Sequence, residues 1–377
     1  VTVAAYRVIA ADLLTGARIA ELPLSGLTFG SSLNDVGECS GRLTFPPLDT
    51  PGAIDLARTW NAAVDEVRRR LIVERDGTVV WSGIVWASPY TDDGQTRDVR
   101  AAETWSYYRR RFVNVGRTFS QVDQLTIART ILEDSAALPA GDLGVLFPAA
   151  TSGRLRDRTY LPSERKRLAE AVEELAGLAD GFDFAIDARW NPATDTLSEV
   201  MRWGYPRLGR ADAATELVYE VGRNVVSWTW PTDGTRYANV VQATGAGDGP
   251  ATLRATSFDL SQVTPLSDGG PGYPFIEENL PERDVLVAAT LQAKSDAAVR
   301  AHARPVVVPS VTVRADVDPV FGSYGMGDSC RFIVPAGVSP RFPDGFDATR
   351  RIVGWTVTVD DNGAETVDLL LGEDPGA

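Results

Sequence analysis

Residues 69–86 read RRLIVERDGTVVWSGIVW, and this stretch decides the fold class. Strand-forming residues run up to Asp76-Gly77 and away from it again. An Asp-Gly pair between two such runs marks a tight hairpin, because both central residues of that turn need positive φ. The second strand carries Trp81 and Trp86 around Ser82-Gly83. Being five apart, the two indoles face opposite sides of a regular strand. The chain turns again at Asp93-Gly94 and returns through RDVRAAETWSYYRRRFVN, an aromatic and basic segment at 97–114.

Outward from this meander, residues 1–50 hold short strands. Two lie about Thr15-Gly16, and the run Leu43-Thr44-Phe45 stops at Pro46-Pro47. A short helix is expected in 52–67, with Ile54, Leu56, Val64 and Val67 as its apolar positions. Residues 1–115 thus form a first β-rich domain. The period changes over 116–222, read as an inserted α/β domain. Ser120 with Asp123 resembles a capping box ahead of Leu125, Ala128 and Leu132. A second helix begins near Pro162-Ser163, with Leu168, Val172, Leu175 and Leu178 along one face and Gly181 ending it. FDFAIDARW and SEVMRWGYP follow as strands. Residues 223–305 form a second β region with a helix. VVSWTWP places Trp228 and Trp230 on one side of an extended chain, and 263–280 reads as a loop. Pro281 opens a helix running to about Arg304, with a seam of Leu286, Ala289, Ala293 and Ala297. Residues 306–377 close the chain with strands around a second turn at Asn362-Gly363.

The chain of 377 residues carries a formal net charge of −14, with 51 acidic and 37 basic residues. That balance argues against a stable nucleic-acid binder, which normally shows a basic patch and a high pI. Lysine occurs only at 166 and 294. The excess of arginine reads as the codon bias of a GC-rich genome rather than as an arginine-based phosphate site. No apolar run is long enough for a membrane helix, so stable membrane insertion is not expected. No signal peptide is evident. Cys39 and Cys330 are expected as free, mostly buried thiols.

The sequence offers no catalytic, cofactor-binding or metal-binding residues. His302 is the single histidine; without a nucleophile motif it reads as an exposed helical residue. One histidine and two distant cysteines do not make a zinc site. Carboxylate pairs are the one enzymatic route that composition leaves open. Most Asp and Glu, however, fall in turns (Asp92, Asp93, Asp360, Asp361) or on helix faces (Glu170, Glu173, Glu174). Trp81, Trp86, Trp228 and Trp230 are candidate subunit-interface residues.

Several segments together resemble the hub-like minor tail proteins (baseplate hub or tail-tip proteins) of long-tailed phages. These are the meander with its mid-strand Trp81-Ser82-Gly83, GFDFAID at 181–187, RYANVVQATG at 236–245, YGMGDSCRFIV at 324–334, and RRIVGWTVTVDDNGAETVDLLLG at 350–372. The resemblance implies an α+β, mostly β fold: two small β-barrel domains, the first in 1–115 and the second closed by 306–377, with an inserted α/β domain. It implies a non-enzymatic virion component at the distal tail tip, assembled in the host cytoplasm and forming a homotrimeric ring. The ring would close the tail tube, adapt its symmetry and anchor the distal tail protein, the tape-measure protein and other tip proteins. DNA would meet it only in transit, and a negative lumen would repel that DNA. Whether the two Asp/Asn-Gly hairpins mark a duplication stays open. The alternatives are a tip-associated wall hydrolase with a carboxylate pair, and a carbohydrate- or receptor-binding module using exposed tryptophan.

Overall fold

A computed structural model describes residues 4–261, 263, 272–283, 285–303, 307–360 and 362–373. The fold is mostly β: of the described residues, 43% are in strands and 17% in helices. It divides into two compact units. The larger comprises 1–176, 182–228 and 310–377; the smaller comprises 177–181 and 229–309.

The larger unit is organised by one fourteen-stranded sheet. Its path runs from Val225–Thr229 through Ser310–Arg314, Glu365–Glu373, Phe346–Val359, Leu24–Ser32 and Glu38–Thr44. It continues through Thr96–Glu103, Thr78–Ala87, Arg69–Arg75 and Tyr6–Asp12 to Arg18–Leu22. The strands from both ends of the chain therefore share one sheet, joined where Phe29 pairs with Val357. The expected mostly β fold is met; two small β-barrel domains were expected, and among the described residues the strands form several sheets with no closed barrel.

The first hairpin forms as its sequence dictates. Asp76 has φ 50° and Gly77 φ 80°, with Arg75 opposite Thr78. The Asp76 carboxylate accepts from the Ala5 N–H at 2.9 Å, tying the turn to the first strand. Gly83 is needed for close approach: a Cβ there would lie 2.5 Å from the Ala102 carbonyl oxygen. The second hairpin also forms, but with a longer connection. Val359 pairs with Glu365, leaving 360–364 as the loop. Gly363 has φ 80°, and the Asp360 carboxylate accepts from the N–H groups of Asn362 and Ala364. Asp361 lies outside the described residues.

The hairpin Asp183–Asn191/Thr196–Gly204 packs on this sheet. Leu197 joins Ile9, Ala11 and Ile72 in one apolar cluster. Buried charges pin it there. Arg70 meets Glu199 at 2.6 Å, and Glu199 also accepts from Ser82 at 2.6 Å and Thr104 at 2.9 Å. Arg351 pairs with Asp183, which accepts from Asn34 and the Leu208 N–H, each at 2.9 Å. Three remote segments thus converge on one carboxylate.

Several helix expectations are corrected. Helix Ala53–Ala63 is present, but it buries Ala53 and Ala63, with Val64 buried just beyond its end, while Ile54, Leu56 and Val67 are exposed. The next helix, Gln124–Ala136, starts later than expected. Asp123 caps it by accepting from the Leu125 N–H, and Ser120 belongs to the strand Arg117–Asp123. The second helix is Leu168–Ala176, with Leu168, Val172 and Leu175 fully buried. It ends before Leu178 and Gly181, and Pro162–Glu164 is a separate 3₁₀ turn.

The smaller unit holds a three-stranded sheet, Arg254–Phe258, Val240–Thr244 and Glu277–Pro281. Pro281 ends a strand paired parallel to Val240–Thr244 and does not open a helix. The helix is Ala288–His302, and its buried positions are Leu291, Ser295 and Val299, not the expected alanine seam. Parallel pairing satisfies the 277–281 backbone before the helix can start, and Leu286 is left exposed. Residues 262, 264–271 and 304–306 lie outside the described residues, so the loop expected at 263–280 is described only in part, and the expected helix end near Arg304 is not described.

Candidate functional site

An open groove of about 1230 Å³ lies on the larger unit. Strand alternation builds its floor. Val99 and Ala101 point inward and are buried, so Arg100 between them points out. Cys39 is likewise buried between the exposed Glu38 and Ser40. The pairs Thr28–Ser40 and Ser40–Arg100 lay an outward row across three strands. Thr28 and Ser40 are short and leave the groove open beside Arg100.

The wall comes from the turn after Glu103. Trp105 and Tyr108, three apart on the short helix Trp105–Tyr108, are both buried. Ser106, Arg109 and Arg110 therefore line the groove. A register shift near Val85 and Ala87 leaves Trp86 half-buried beside them. Its indole N–H donates to the Ser106 hydroxyl at 2.8 Å, and the Arg110 guanidinium sits 4.0 Å from its ring centre. Arg167 donates to the Arg109 carbonyl oxygen.

The groove is lined by four arginines, 100, 109, 110 and 167, against one carboxylate, Glu38. Arg109 pairs with Asp35 and with Glu173 at 3.0 Å. Arg100, Arg110 and Arg167 are exposed and make no ion pair among the described residues. The sequence signal for this site is the run Arg109–Arg111 after an aromatic helix. Nothing in sequence spacing brings Arg100 and Arg167 beside it.

The four candidate tryptophans sit in different surroundings. Trp81 is 3% exposed and donates to the Gly30 carbonyl at 2.8 Å. Trp86 lines the groove. Trp228 is half-buried in the larger unit, 6.0 Å from Phe332 and 5.9 Å from Phe342, ring centre to ring centre. Trp230 is half-buried in the smaller unit.

The remaining reactive groups are accounted for locally. His302 is helical but not exposed: it pairs with Glu278, and Arg236 lies 3.4 Å from its Nε2. Cys39 and Cys330 are free and buried, and burial pushes the Cys39 thiol up to about 12. Desolvation raises the Glu103 carboxyl to about 7, against hydrogen bonds from Ser31 and Gly37 and helped by nearby Glu199 and Asp35. A carboxyl titrating near neutrality is what an acid catalyst needs. The cleft it faces, however, holds about 10 Å³, room for about one water and no sugar ring. Among the described residues no group of three His, Cys, Asp or Glu is placed to hold a metal, and no helix is long and apolar enough to cross a membrane.

No protein-family model and no curated protein matches this chain. Solved structures do. The 43 kDa tail protein of prophage MuSo2 from Shewanella oneidensis aligns over 98% of this chain and 98% of its own length, at 11% identity and TM-score 0.60. A tail protein from Neisseria meningitidis MC58 aligns over 98% and 97%, at 14% identity and TM-score 0.55. A chain of the lidless PdpA–VgrG complex aligns over 99% of this chain and 66% of its own, at 6% identity and TM-score 0.55. At such identities the likeness establishes the fold: this chain has the fold of prophage tail proteins. The hub-like resemblance seen in the sequence is met at that level.

Proposed function

We propose that this chain is a structural component of a phage tail, positioned at the distal tip as a baseplate-hub protein. It forms a homotrimeric ring that closes the tail tube, adapts its symmetry to the tip and anchors the distal tail, tape-measure and other tip proteins. It is assembled in the host cytoplasm and has no catalytic role. DNA meets it only in transit. The observation that carries this reading is the match to two prophage tail proteins over 98% of this chain. The shared sheet supports it as well. Strands from both ends of the chain are hydrogen-bonded into one continuous sheet, which suits a subunit that must hold its shape within a ring. Of the four tryptophans, we assign Trp86 to a contact between copies, since it alone lines the groove.

The test is the native mass of the purified chain together with electron-microscope class averages. A threefold ring is expected. Monomers or twofold dimers at every accessible concentration overturn the ring.

A further inference from the structure

We propose that the arginine groove receives an acidic segment of a second copy of this chain, the exposed hairpin tip at Tyr90–Asp93. The proposal rests on the ring reading and names the contact that joins one copy to the next.

Charge placement is the first argument. The chain carries 51 acidic and 37 basic residues, yet this groove gathers four arginines against Glu38. Arg100, Arg110 and Arg167 have no ion-pair partner among the described residues. Arginine's planar fork matches a carboxylate in a bidentate way. Arg109 in the same wall already holds Asp35 and Glu173, so the site's chemistry suits carboxylates. Charges repel weakly beyond a Debye length of about 8 Å, so the net −14 of two copies does not prevent a complementary local contact.

Geometry supplies the donor. At the hairpin tip Tyr90 is 52% exposed, and Asp92 and Asp93 are exposed beside it. An aromatic ring and two carboxylates complement Trp86 and the arginines. The tip joins the strand Thr96–Glu103 where Thr91 pairs with Thr96, while Arg100 and Ala102 reach the groove further along that strand. Strand rise separates Thr96 from Arg100 by about 13 Å and from Ala102 by about 20 Å, and the turn that carries Asp92 and Asp93 lies beyond Thr96. A copy cannot place this tip in its own groove. Donor and acceptor are therefore different patches of one chain, and a head-to-tail contact between them can repeat from copy to copy and close a ring. A nucleic acid is the less fitting occupant: four arginines in one groove of a chain of net charge −14 do not make the extended basic surface that tracks a nucleic-acid backbone.

Sedimentation velocity over a wide concentration range tests this on the full chain. Wild type, R100E/R110E, and R100E/R110E with D92R/D93R are compared, each checked for an unchanged unfolding midpoint. If the reversed arginines unfold the chain, R100Q/R110Q replaces them. The wild type is expected to assemble. R100E/R110E should need roughly tenfold more protein to do so, and the added D92R/D93R should restore assembly. Assembly of R100E/R110E at wild-type concentration overturns the groove and leaves the ring standing. A monomeric wild type overturns both. Loss without restoration overturns the tip as donor. A wild-type monomer that binds single-stranded DNA through Arg100 and Arg110 reassigns the groove to phosphate.

Discussion

Arginine occupies two kinds of place in this protein. In the interior, Arg70, Arg75 and Arg351 keep 2%, 15% and 7% of their side-chain surface. Each meets a carboxylate: Glu199 at 2.6 Å, Glu365 at 2.9 Å, and Asp183. In the groove, Arg100, Arg110 and Arg167 are exposed and meet none among the described residues. A buried guanidinium cannot shed its proton, so folding must bring it a counter-charge. An exposed one is satisfied by water and stays available. The interior pairs hold the sheet and its packed hairpin together; the groove arginines have no such duty.

The sharpest test removes a counter-charge. Glu199→Ala leaves Arg70 buried with no carboxylate and should cost about 3–5 kcal/mol in denaturant unfolding. Replacing both by apolar residues, R70M/E199L, should recover most of that loss, because no orphan charge remains. A loss under about 1 kcal/mol for the single variant would show that water reaches Arg70, and the distinction between the two regions would fail.

Glu103 lies on the boundary. It shares a strand with Arg100, three residues on, but its carboxyl is turned inward. Its folded value of about 7 stands above its ordinary 4.5. Between those values the native state holds the proton more tightly than the unfolded chain. Its contribution is therefore complete below pH 4.5 and lost as pH rises through 7. Against Glu103→Gln, the wild type should lose on the order of 1–3 kcal/mol between pH 5 and pH 8. Parallel stability profiles would place Glu103 with the solvated groove instead.

Much of the sheet was legible because its signals are local. Asp76-Gly77 needs two positive φ values, and the structure supplies them. At Asn362-Gly363 the same signal found the hairpin but not its loop, since the carboxylate of Asp360 competes for the turn N–H groups. Asp123 displaced Ser120 as a cap because residues 117–123 pair with Leu155–Tyr160, a partner invisible from local spacing. The strand Glu277–Pro281 was missed for a similar reason, its pairing being parallel and remote. The groove was half legible. Alternation turns Arg100 outward, and the Arg109–Arg111 run is plain in the sequence. Arg167 comes from within the segment read as an inserted domain, and no spacing rule places it beside Arg100. Arginine count alone could not separate the paired from the free, because that distinction is made by burial.

The smallest expected effect completes the contrast. Arg110 touches Trp86 only through its ring face, at 4.0 Å. An exposed cation–π contact is worth about 0.5–1 kcal/mol. Arg110→Gln should therefore shift the unfolding free energy by no more than that, several times less than Glu199→Ala. The Trp86 indole should keep its hydrogen bond to Ser106, since that bond does not use the cation. If Arg110→Gln instead destabilises the chain as severely as the loss of Glu199, the groove arginines are structural. Their freedom from carboxylates would then reflect an interior held by other means, and their availability to an acidic partner would no longer follow.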